Sequence, residues 1–94
     1  MRAIERASAF KRDYKRVKAA PQHRKNMNAL LTAILELLLT DKPLPVNNRD
    51  HALGGELADY RECHVKPDLL LIYGRPSSGT LRLVRLGSHS ELFG

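Results

Sequence analysis

Apolar residues recur in the N-terminal half of the chain at the spacing of α-helices. Phe10, Tyr14 and Val17 are spaced i, i+4 and i+7, which predicts a helix with Ser8 as its N-cap. A second helix is predicted from Pro21, which suits a first helical turn, to the residues before Asp41. Its wide apolar stripe consists of Met27, Leu30, Leu31, Ile34, Leu35 and Leu38. The short link between the two predicts an antiparallel helical hairpin, with His23 as a surface residue without a role.

The C-terminal half has the pattern of β-strands. Leu57–Val65 alternates and is predicted as a strand with Tyr60, Glu62 and His64 on one face. Residues 69–73 are apolar on both faces, which predicts a central strand, and residues 80–86 alternate again. Tight turns between these three segments predict an antiparallel meander. A brief pattern over residues 2–6 suggests a short first strand.

Two further segments complete the predicted fold. Residues 40–55 are rich in Pro, Asn and Gly and predict a long connection without regular structure, a kind of segment that is often functional. Ser88 and Glu91 have capping-box spacing, which predicts one helical turn at the C-terminus. The expected fold is an α+β domain over residues 1–94: a helical hairpin packed on a small, mainly antiparallel twisted sheet, with a short C-terminal helical turn.

Composition places the chain among ordinary globular proteins, with 43% hydrophobic and 28% charged residues. The only long apolar run, residues 29–39, is too short to span a bilayer and contains Glu36. No secretory signal is recognisable at the N-terminus, so a cytoplasmic location without a membrane partner is expected. The single Cys63 is expected to be a small buried hydrophobe.

Positive charge is concentrated in one half of the chain. The net charge is +6, and residues 1–49 hold eleven Lys or Arg against four Asp or Glu, whereas residues 50–94 hold five against six. The outer faces of the first helix carry Lys11, Arg12, Lys15, Arg16 and Lys18. Such a surface favours a polyanion such as RNA, or an acidic protein. A solvated helix face is the simpler alternative.

The candidate chemistry lies in the other half. His51 ends the long connection, His64 ends the first meander strand and His89 follows the third strand, while Asp68 lies in the turn after His64. Histidine can act as acid or base near neutral pH, so this set suits RNA cleavage by the ribose 2′-OH. Candidate phosphate-binding and base-stacking residues are Arg61, Arg85, Phe93 and Tyr60.

Other interpretations of the same residues stay open. His51, His64, His89 and Asp68 could form a zinc site, although no short His pairing or Cys ligand supports it. Ser88 and Ser90 lack the setting of a hydrolase nucleophile. The histidines could also be satisfied polar groups around a sheet. No phosphate-binding or dinucleotide motif is present, so no cofactor is expected.

Three motifs in register resemble the YafQ branch of the RelE/ParE toxin superfamily. They read Asp50-His51-x-Leu53-x-Gly55, then Tyr60-Arg61-x-x-His64-Val65-x-Pro67-Asp68-x-Leu70-Leu71-Ile72-Tyr73, then Arg85-x-Gly87-Ser88-His89-Ser90-x-Leu92-Phe93. The predicted element order fits as well, so the resemblance covers nearly the whole chain. One departure is Leu69, where relatives often have Trp.

The resemblance implies the toxin of a type II toxin–antitoxin pair, a ribosome-dependent endoribonuclease that cuts mRNA in the ribosomal A site without a metal. Carried over by position, His51, His64, Asp68 and His89 match the family's catalytic residues and Phe93 its C-terminal aromatic. Asp68 or His64 is expected to take the 2′-OH proton, His89 to protonate the leaving oxygen and His51 to hold the phosphate.

The resemblance also implies a binding role for the basic helix, and it leaves open an alternative activity for the chain. Its Lys and Arg residues are expected to grip ribosomal RNA, and a cognate antitoxin is expected to be acidic where it covers them. ParE-like members of the superfamily inhibit DNA gyrase without cutting RNA, and a basic RNA-binding module without catalysis is a third possibility. Neither of these alternatives needs the set of titratable residues.

Overall fold

The computed structural model describes residues 3–94 and shows a helical layer on one face of a five-stranded sheet. The helices are α1 (Ser8–Ala19), α2 (Met27–Leu39) and α3 (His89–Phe93), and the strands are β1 (Ala3–Arg6), β2 (His51–Ala52), β3 (Tyr60–Lys66), β4 (Leu69–Ser77) and β5 (Thr80–Gly87). The sheet order is β1-β5-β4-β3-β2; β1 is parallel to β5 and the other pairs are antiparallel. The predicted α+β arrangement is confirmed.

The core lies between the helices and one face of the sheet. The predicted helical stripes supply one side of it, except for Leu30, which is 40% exposed. Alternate residues of the three long strands supply the other side, because successive side chains of a strand point to opposite faces. The sheet contributes Cys63, Val65, Leu69, Leu71, Tyr73, Leu81, Leu83 and Leu86. Strand β4 is the central strand, as predicted, and is buried on both faces over residues 69–74.

The connection between the helices differs from its prediction. Helix α1 begins at Ser8, but Ala7 occupies the N-cap position and no side chain caps the helix. Helix α2 begins at Met27 rather than near Pro21, because residues 20–26 form turns that end at Asn26 in the left-handed conformation (φ 57°). Asparagine tolerates that conformation better than most residues. His23, predicted to be exposed, is 3% exposed.

The predicted structureless connection contains short ordered elements. Val46–Asn48 and Gly55–Leu57 are 3₁₀ turns, and β2 lies between them and pairs with β3. Strand β3 therefore begins at Tyr60 rather than at Leu57. The first strand, predicted over residues 2–6, is β1; Arg2 lies outside the described residues.

Side chains of α1 cover part of the edge of β5. Strand β1 pairs with β5 only as far as Leu83. Beyond it, the backbone N–H of Leu86 donates to Asp13 Oδ2 at 3.0 Å, and Arg16 Nη2 donates to the carbonyl oxygen of Leu86 at 3.0 Å. The buried backbone groups of Leu86 are thus satisfied by a helix instead of another strand.

Candidate active site

Two of the three predicted histidines stand on the sheet face that is turned away from the helices. His51 is paired with Glu62, and His64, two residues further along β3, is paired with Leu70. Paired residues of antiparallel strands share a face, as do residues two apart in one strand. Cys63 lies between Glu62 and His64 and points into the core. His51 and His64 therefore lie on the same open face.

The pairing register brings the third histidine to the same end of the sheet. Leu70, the partner of His64, is also paired with Gly87 at the end of β5. Neighbouring strands are about 4.8 Å apart, so the backbones of His64 and Gly87 are separated by roughly 10 Å. His89 follows two residues after Gly87, and Asp68 lies in the turn from β3 to β4. His64, Asp68 and His89 thus border one end of the sheet, while His51 lies on the edge strand opposite Glu62, two residues before His64.

His51 is held by its backbone neighbour and by a carboxylate. Its Nδ1 lies 2.6 Å from the carbonyl oxygen of Arg49, and its Nε2 lies 3.6 Å from Glu62 Oε1. Both ring nitrogens therefore face oxygen atoms. The side chain is 51% exposed, so the ring is accessible to a ligand.

A hydrogen-bonded cluster holds the start of β2 in place. Asp50 Oδ1 accepts hydrogen bonds from Tyr73 Oη at 2.5 Å and from Arg61 Nε at 3.2 Å. Burial, with the hydrogen bond to Asp50, raises the pKa of the Tyr73 phenol, so it stays a neutral donor at physiological pH. The backbone next to His51 is therefore fixed from the core side.

His64 has a defined orientation beside the turn that contains Asp68. Its Nδ1 lies 3.3 Å from the carbonyl oxygen of Pro67, and its own carbonyl oxygen accepts a hydrogen bond from Asn48 Nδ2 at 2.7 Å. A carbonyl can only accept, so Nδ1 is the donor in this contact and Nε2 is the ring nitrogen left for another partner. A groove of about 490 Å³, lined by residues 47–49 and 64–67, lies beside this ring.

His89 and Phe93 lie one turn apart on α3 and share a face. Their ring centroids are 5.1 Å apart, His89 is exposed and Phe93 is 41% exposed. The predicted capping box is present: Ser88 Oγ accepts from the N–H of Glu91 at 3.2 Å, and Glu91 Oε1 accepts from the N–H of Ser88 at 2.7 Å. The sequence signal for this helical turn is confirmed.

The two predicted phosphate clamps form ion pairs within the protein. Arg61 contacts Asp50, and Arg85 Nε donates to Asp13 Oδ2 at 2.6 Å. Hydrogen bonds with these carboxylates raise the pKa of both guanidinium groups. Both side chains are a third or more exposed, at 39% and 35%. Their contact with phosphate stays a prediction. The ion pair that each forms within the protein was not predicted from the sequence.

The basic residues of α1 divide into two groups. Lys11, Arg12, Lys15 and Lys18 are exposed and form no ion pair with another residue of the described range 3–94. Arg16 differs, because its guanidinium contacts Asp13 at 2.7 Å and Glu91 at 3.4 Å. The exposed group forms a basic surface, whereas Arg16 mainly connects α1 to β5 and α3.

Three buried polar residues were not predicted from the sequence. Asp13 and His23 are each 3% exposed, and Glu62 is 6% exposed beneath His51. Asp13 had a detectable signal, since it lies three residues after Phe10 and four before Val17, on the apolar stripe of α1. His23 and Glu62 had none, because their burial depends on distant segments.

The described residues form neither a metal-binding cluster nor a membrane-spanning helix. Among residues 3–94, no three His, Cys, Asp or Glu side chains lie close enough to hold a metal ion, so the predicted alternative of a zinc site at His51, His64, His89 and Asp68 is not formed. No helix in the described part of the chain is long and apolar enough to cross a membrane.

Comparison with known proteins gives consistent matches over nearly the whole chain. The family model of YafQ, bacterial toxins of type II toxin–antitoxin systems, matches residues 2–94. The mRNA interferase toxin YafQ of Escherichia coli K12 is 39% identical over 93 residues, which are 99% of this chain and 97% of that protein. These matches agree with the motifs and the fold.

Solved structures give the same result. YafQ in the Escherichia coli DinJ–YafQ complex is 37% identical, with a TM-score of 0.84 over 100% of both chains. A metal-bound toxin from Helicobacter pylori is 45% identical, with a TM-score of 0.85 over 99% of this chain and 100% of the other. The sheet, the helical layer and the C-terminal turn are therefore common to all three.

Proposed function

This chain belongs to the YafQ family of toxins of type II toxin–antitoxin systems, and we propose that it is an endoribonuclease that cuts mRNA on the ribosome in the cytoplasm. The Escherichia coli relative is an mRNA interferase, which supports RNA as the substrate. The observation that carries the proposal is the placement of His51 and His64 on the sheet face without the helical layer, with His89 just after β5, two strands from β3.

The proposed reaction is internal transfer of the phosphodiester. The ribose 2′-oxygen attacks the adjacent phosphorus, the bond from phosphorus to the 5′-oxygen breaks, and a 2′,3′-cyclic phosphate and a 5′-hydroxyl are formed. A base must accept the 2′-OH proton, an acid must protonate the 5′-oxygen, and cations must stabilise the charged phosphorane. Titratable side chains alone can supply all three, so we propose that no metal takes part.

The structure favours His64 as the base. The contact of Nδ1 with the carbonyl oxygen of Pro67 leaves Nε2 to accept a proton. The groove beside His64 is large enough to admit part of a nucleotide chain. Asp68, exposed in the same turn, is the second candidate for this role, and an Asp68→Asn variant separates the two.

His89 and His51 fit the remaining roles. His89 is exposed on α3 and has space to approach the leaving oxygen, while the neighbouring ring of Phe93 offers a face on which an unpaired base can stack. His51, whose ring is 51% exposed on the same face as His64, is the proposed contact to a phosphate oxygen. Arg85 is paired with Ile72, in the same row as Glu62 and His51, whereas Arg61 is paired with Tyr73 and points to the core side. Both are partly exposed and are the proposed further phosphate contacts.

The exposed basic residues of α1 suit binding to ribosomal RNA. Lys11, Arg12, Lys15 and Lys18 have no carboxylate partner in the described range, so their charge is available to phosphates. Arg16 was predicted to belong to this set and stays in it, but its charge is shared with Asp13 and Glu91. We expect a smaller contribution from it.

The same surface suits a cognate antitoxin. Lys11 and Lys15 border a groove of about 460 Å³ between α1 and α2, whose apolar lining includes Phe10, Leu31 and Leu35. An amphipathic acidic segment would match both the apolar lining and the basic rim. The Escherichia coli relative is known in complex with DinJ, and we propose that this chain likewise has an antitoxin partner.

In the decisive experiment, EDTA-treated protein is added to purified ribosomes programmed with a short mRNA. The integrity of the ribosomes, which depends on magnesium, is checked separately. Wild-type protein should give a 2′,3′-cyclic phosphate only when ribosomes are present, and His89→Ala should give none. Intact mRNA with wild-type protein would refute the proposal and favour a binding toxin of the gyrase-inhibitor type. A 3′-hydroxyl product would refute attack by the 2′-OH.

A second experiment addresses ribosome binding. The double variant Lys11→Glu, Lys15→Glu should bind ribosomes more weakly, and the slope of its affinity against salt should be shallower, because fewer counterions are released. The matched control is Lys42→Glu, which reverses the charge of an exposed lysine outside α1. Equal ribosome affinity of the double variant and the wild type would contradict this assignment.

A further inference from the structure

A buried histidine outside the proposed catalytic set lies between the helical layer and α3. His23, in the turn between α1 and α2, is 3% exposed. Its Nε2 lies 3.3 Å from Glu91 Oε1, and its backbone carbonyl oxygen accepts a hydrogen bond from Lys66 Nζ at 2.7 Å. A buried polar side chain costs free energy unless its partners are in place, so these contacts fix its position.

The Glu91 carboxylate of α3 has partners in three segments: α1, the turn between α1 and α2, and the N-cap of α3 itself. Besides His23, its carboxylate contacts Arg16 Nε of α1 at 3.4 Å and the N–H of Ser88 at 2.7 Å. The hydrogen bond from the Ser88 backbone, with that of the Ser88 hydroxyl and the charges of Arg16 and His23, lowers the pKa of the Glu91 carboxyl. Glu91 is therefore an anion with partners from α1 and from the turn between the helices.

These contacts lie on the far side of α3 from the proposed catalytic face. Residues two apart on a helix point in nearly opposite directions, so Glu91 faces the helical layer while His89 and Phe93 face away from it. A helix of five residues is far too short to be stable by itself. The position of His89 must therefore come from the contacts of α3 with the rest of the protein.

His23 also connects this turn to the other side of the site. Lys66, which donates to its carbonyl oxygen, ends β3 two residues after His64, and the two are separated by an irregularity in strand pairing. One buried residue thus contacts the segment that carries His64 through its backbone and the segment that carries His89 through its ring.

We propose that His23 is a positioning residue that sets the placement of His89 and Phe93 relative to His64. It acts through Glu91 and touches neither the substrate nor the reacting atoms. Its effect on cleavage rests on the proposed function, whereas its effect on the position of α3 does not. Misplacement of a catalytic group by about 1 Å can lower a rate by about a hundredfold, so a small shift of α3 is sufficient to be measured.

The test compares His23→Ala with His23→Gln and with Gln22→Ala. Glutamine places an amide nitrogen where Nε2 of histidine lies and can still donate to Glu91. Gln22 is the exposed neighbour of His23 and serves as the matched control. The first measurement is the NMR spectrum of each free protein, in which the ring signals of His89 and Phe93 report the position of α3 without any RNA.

The expected result is a shift of the His89 and Phe93 signals in His23→Ala, with those of His51 unchanged, and their return toward wild type in His23→Gln. The single-turnover cleavage rate on saturating ribosomes should fall about tenfold to a hundredfold in His23→Ala and recover in His23→Gln, while ribosome affinity stays unchanged. Gln22→Ala should match wild type in both measurements.

The two hypotheses fail in different ways. Unchanged His89 and Phe93 signals in a folded His23→Ala protein would overturn the positioning role, even if its melting temperature fell. If His23→Ala does not fold, the same comparison is made with Glu91→Gln, which weakens the contact from the other side; unchanged signals there would overturn it too. Shifted signals together with a wild-type protein that cuts no RNA would support positioning and refute the nuclease.

Discussion

Replacement of Asp13 should reveal how strongly α1 is attached to the sheet. Its side chain is 4% exposed and accepts hydrogen bonds from three directions: Arg85 Nε at 2.6 Å, Arg16 Nη1 at 2.7 Å and the backbone N–H of Leu86 at 3.0 Å. Burial by itself would raise the pKa of this carboxyl, but the hydrogen bonds outweigh it and the net pKa lies below the usual range. Asp13 is therefore ionised in the folded protein.

The loss in free energy of unfolding on removal of the Asp13 carboxylate depends on the donors that lose their acceptor. In Asp13→Ala the buried N–H of Leu86 loses its acceptor, which costs about 1–3 kcal/mol. The two guanidinium groups are 41% and 35% exposed and can return to water, so each lost pair costs only about 0.5–1 kcal/mol. The sum is about 3 kcal/mol, a large part of the roughly 5–14 kcal/mol expected for a domain of this size. Asp13→Asn keeps an acceptor oxygen and should cost about 1–2 kcal/mol.

Urea unfolding followed by circular dichroism measures both variants, and Asp13→Ala should also melt about 10–20 °C lower. Because the pKa of Asp13 is depressed in the folded state, its ionic contribution is fully present above the unfolded-state pKa of about 3.9 and is lost as pH falls through the folded-state pKa. The difference between wild type and Asp13→Asn should thus be constant near neutral pH and shrink below about pH 4. A cost below about 0.5 kcal/mol for Asp13→Ala at pH 7 would refute this account.

Three further predictions concern the sheet. A Cβ at Gly87 would lie 2.8 Å from the Arg16 guanidinium, so Gly87→Ala should lose about 1–3 kcal/mol in urea unfolding, whereas Gly79→Ala, with open space around it, should not. Tyr73→Phe should lower the free energy of unfolding by about 1 kcal/mol. An absorbance titration of the wild type should show one phenol that ionises above the usual pH, and ionisation of all tyrosines near pH 10 would contradict this. Burial raises the pKa of Cys63 to about 12, so a thiol reagent at pH 8 should react only after unfolding.

The sequence predicted those features that depend on local pattern. Strand β4 was identified because residues 69–73 are apolar on both faces, and α3 because the capping box is encoded within four residues. The placement of Glu62 and His64 on one face of β3 follows from the alternation of side chains. Periodicity and caps are properties of short segments, so they can be recognised without knowledge of the partners.

Features that depend on distant partners were missed. Pro21 is compatible with a first helical turn, but α2 begins at Met27, because the intervening residues place His23 against Glu91, 68 positions away. Asp13 was counted only as one of the four acidic residues in the basic half of the chain. In the structure its carboxylate accepts hydrogen bonds from Arg85 and Leu86, which lie near the other end of the chain. Charge alone cannot show whether a residue points to solvent or completes the edge of a sheet.

The division of α1 into an outer and an inner charged group changes how mutations of this helix must be interpreted. Lys15 is exposed without an ion pair in the described range, so Lys15→Glu should affect only the binding of anionic partners. Arg16 contacts Asp13, Glu91 and the backbone of Leu86, so Arg16→Glu would place two like charges beside it and loosen both β5 and α3. Lost cleavage in Arg16→Glu would therefore not identify a ribosome contact. Such a contact can be identified only by a variant that keeps wild-type stability but binds ribosomes more weakly, with a shallower dependence of the affinity on salt.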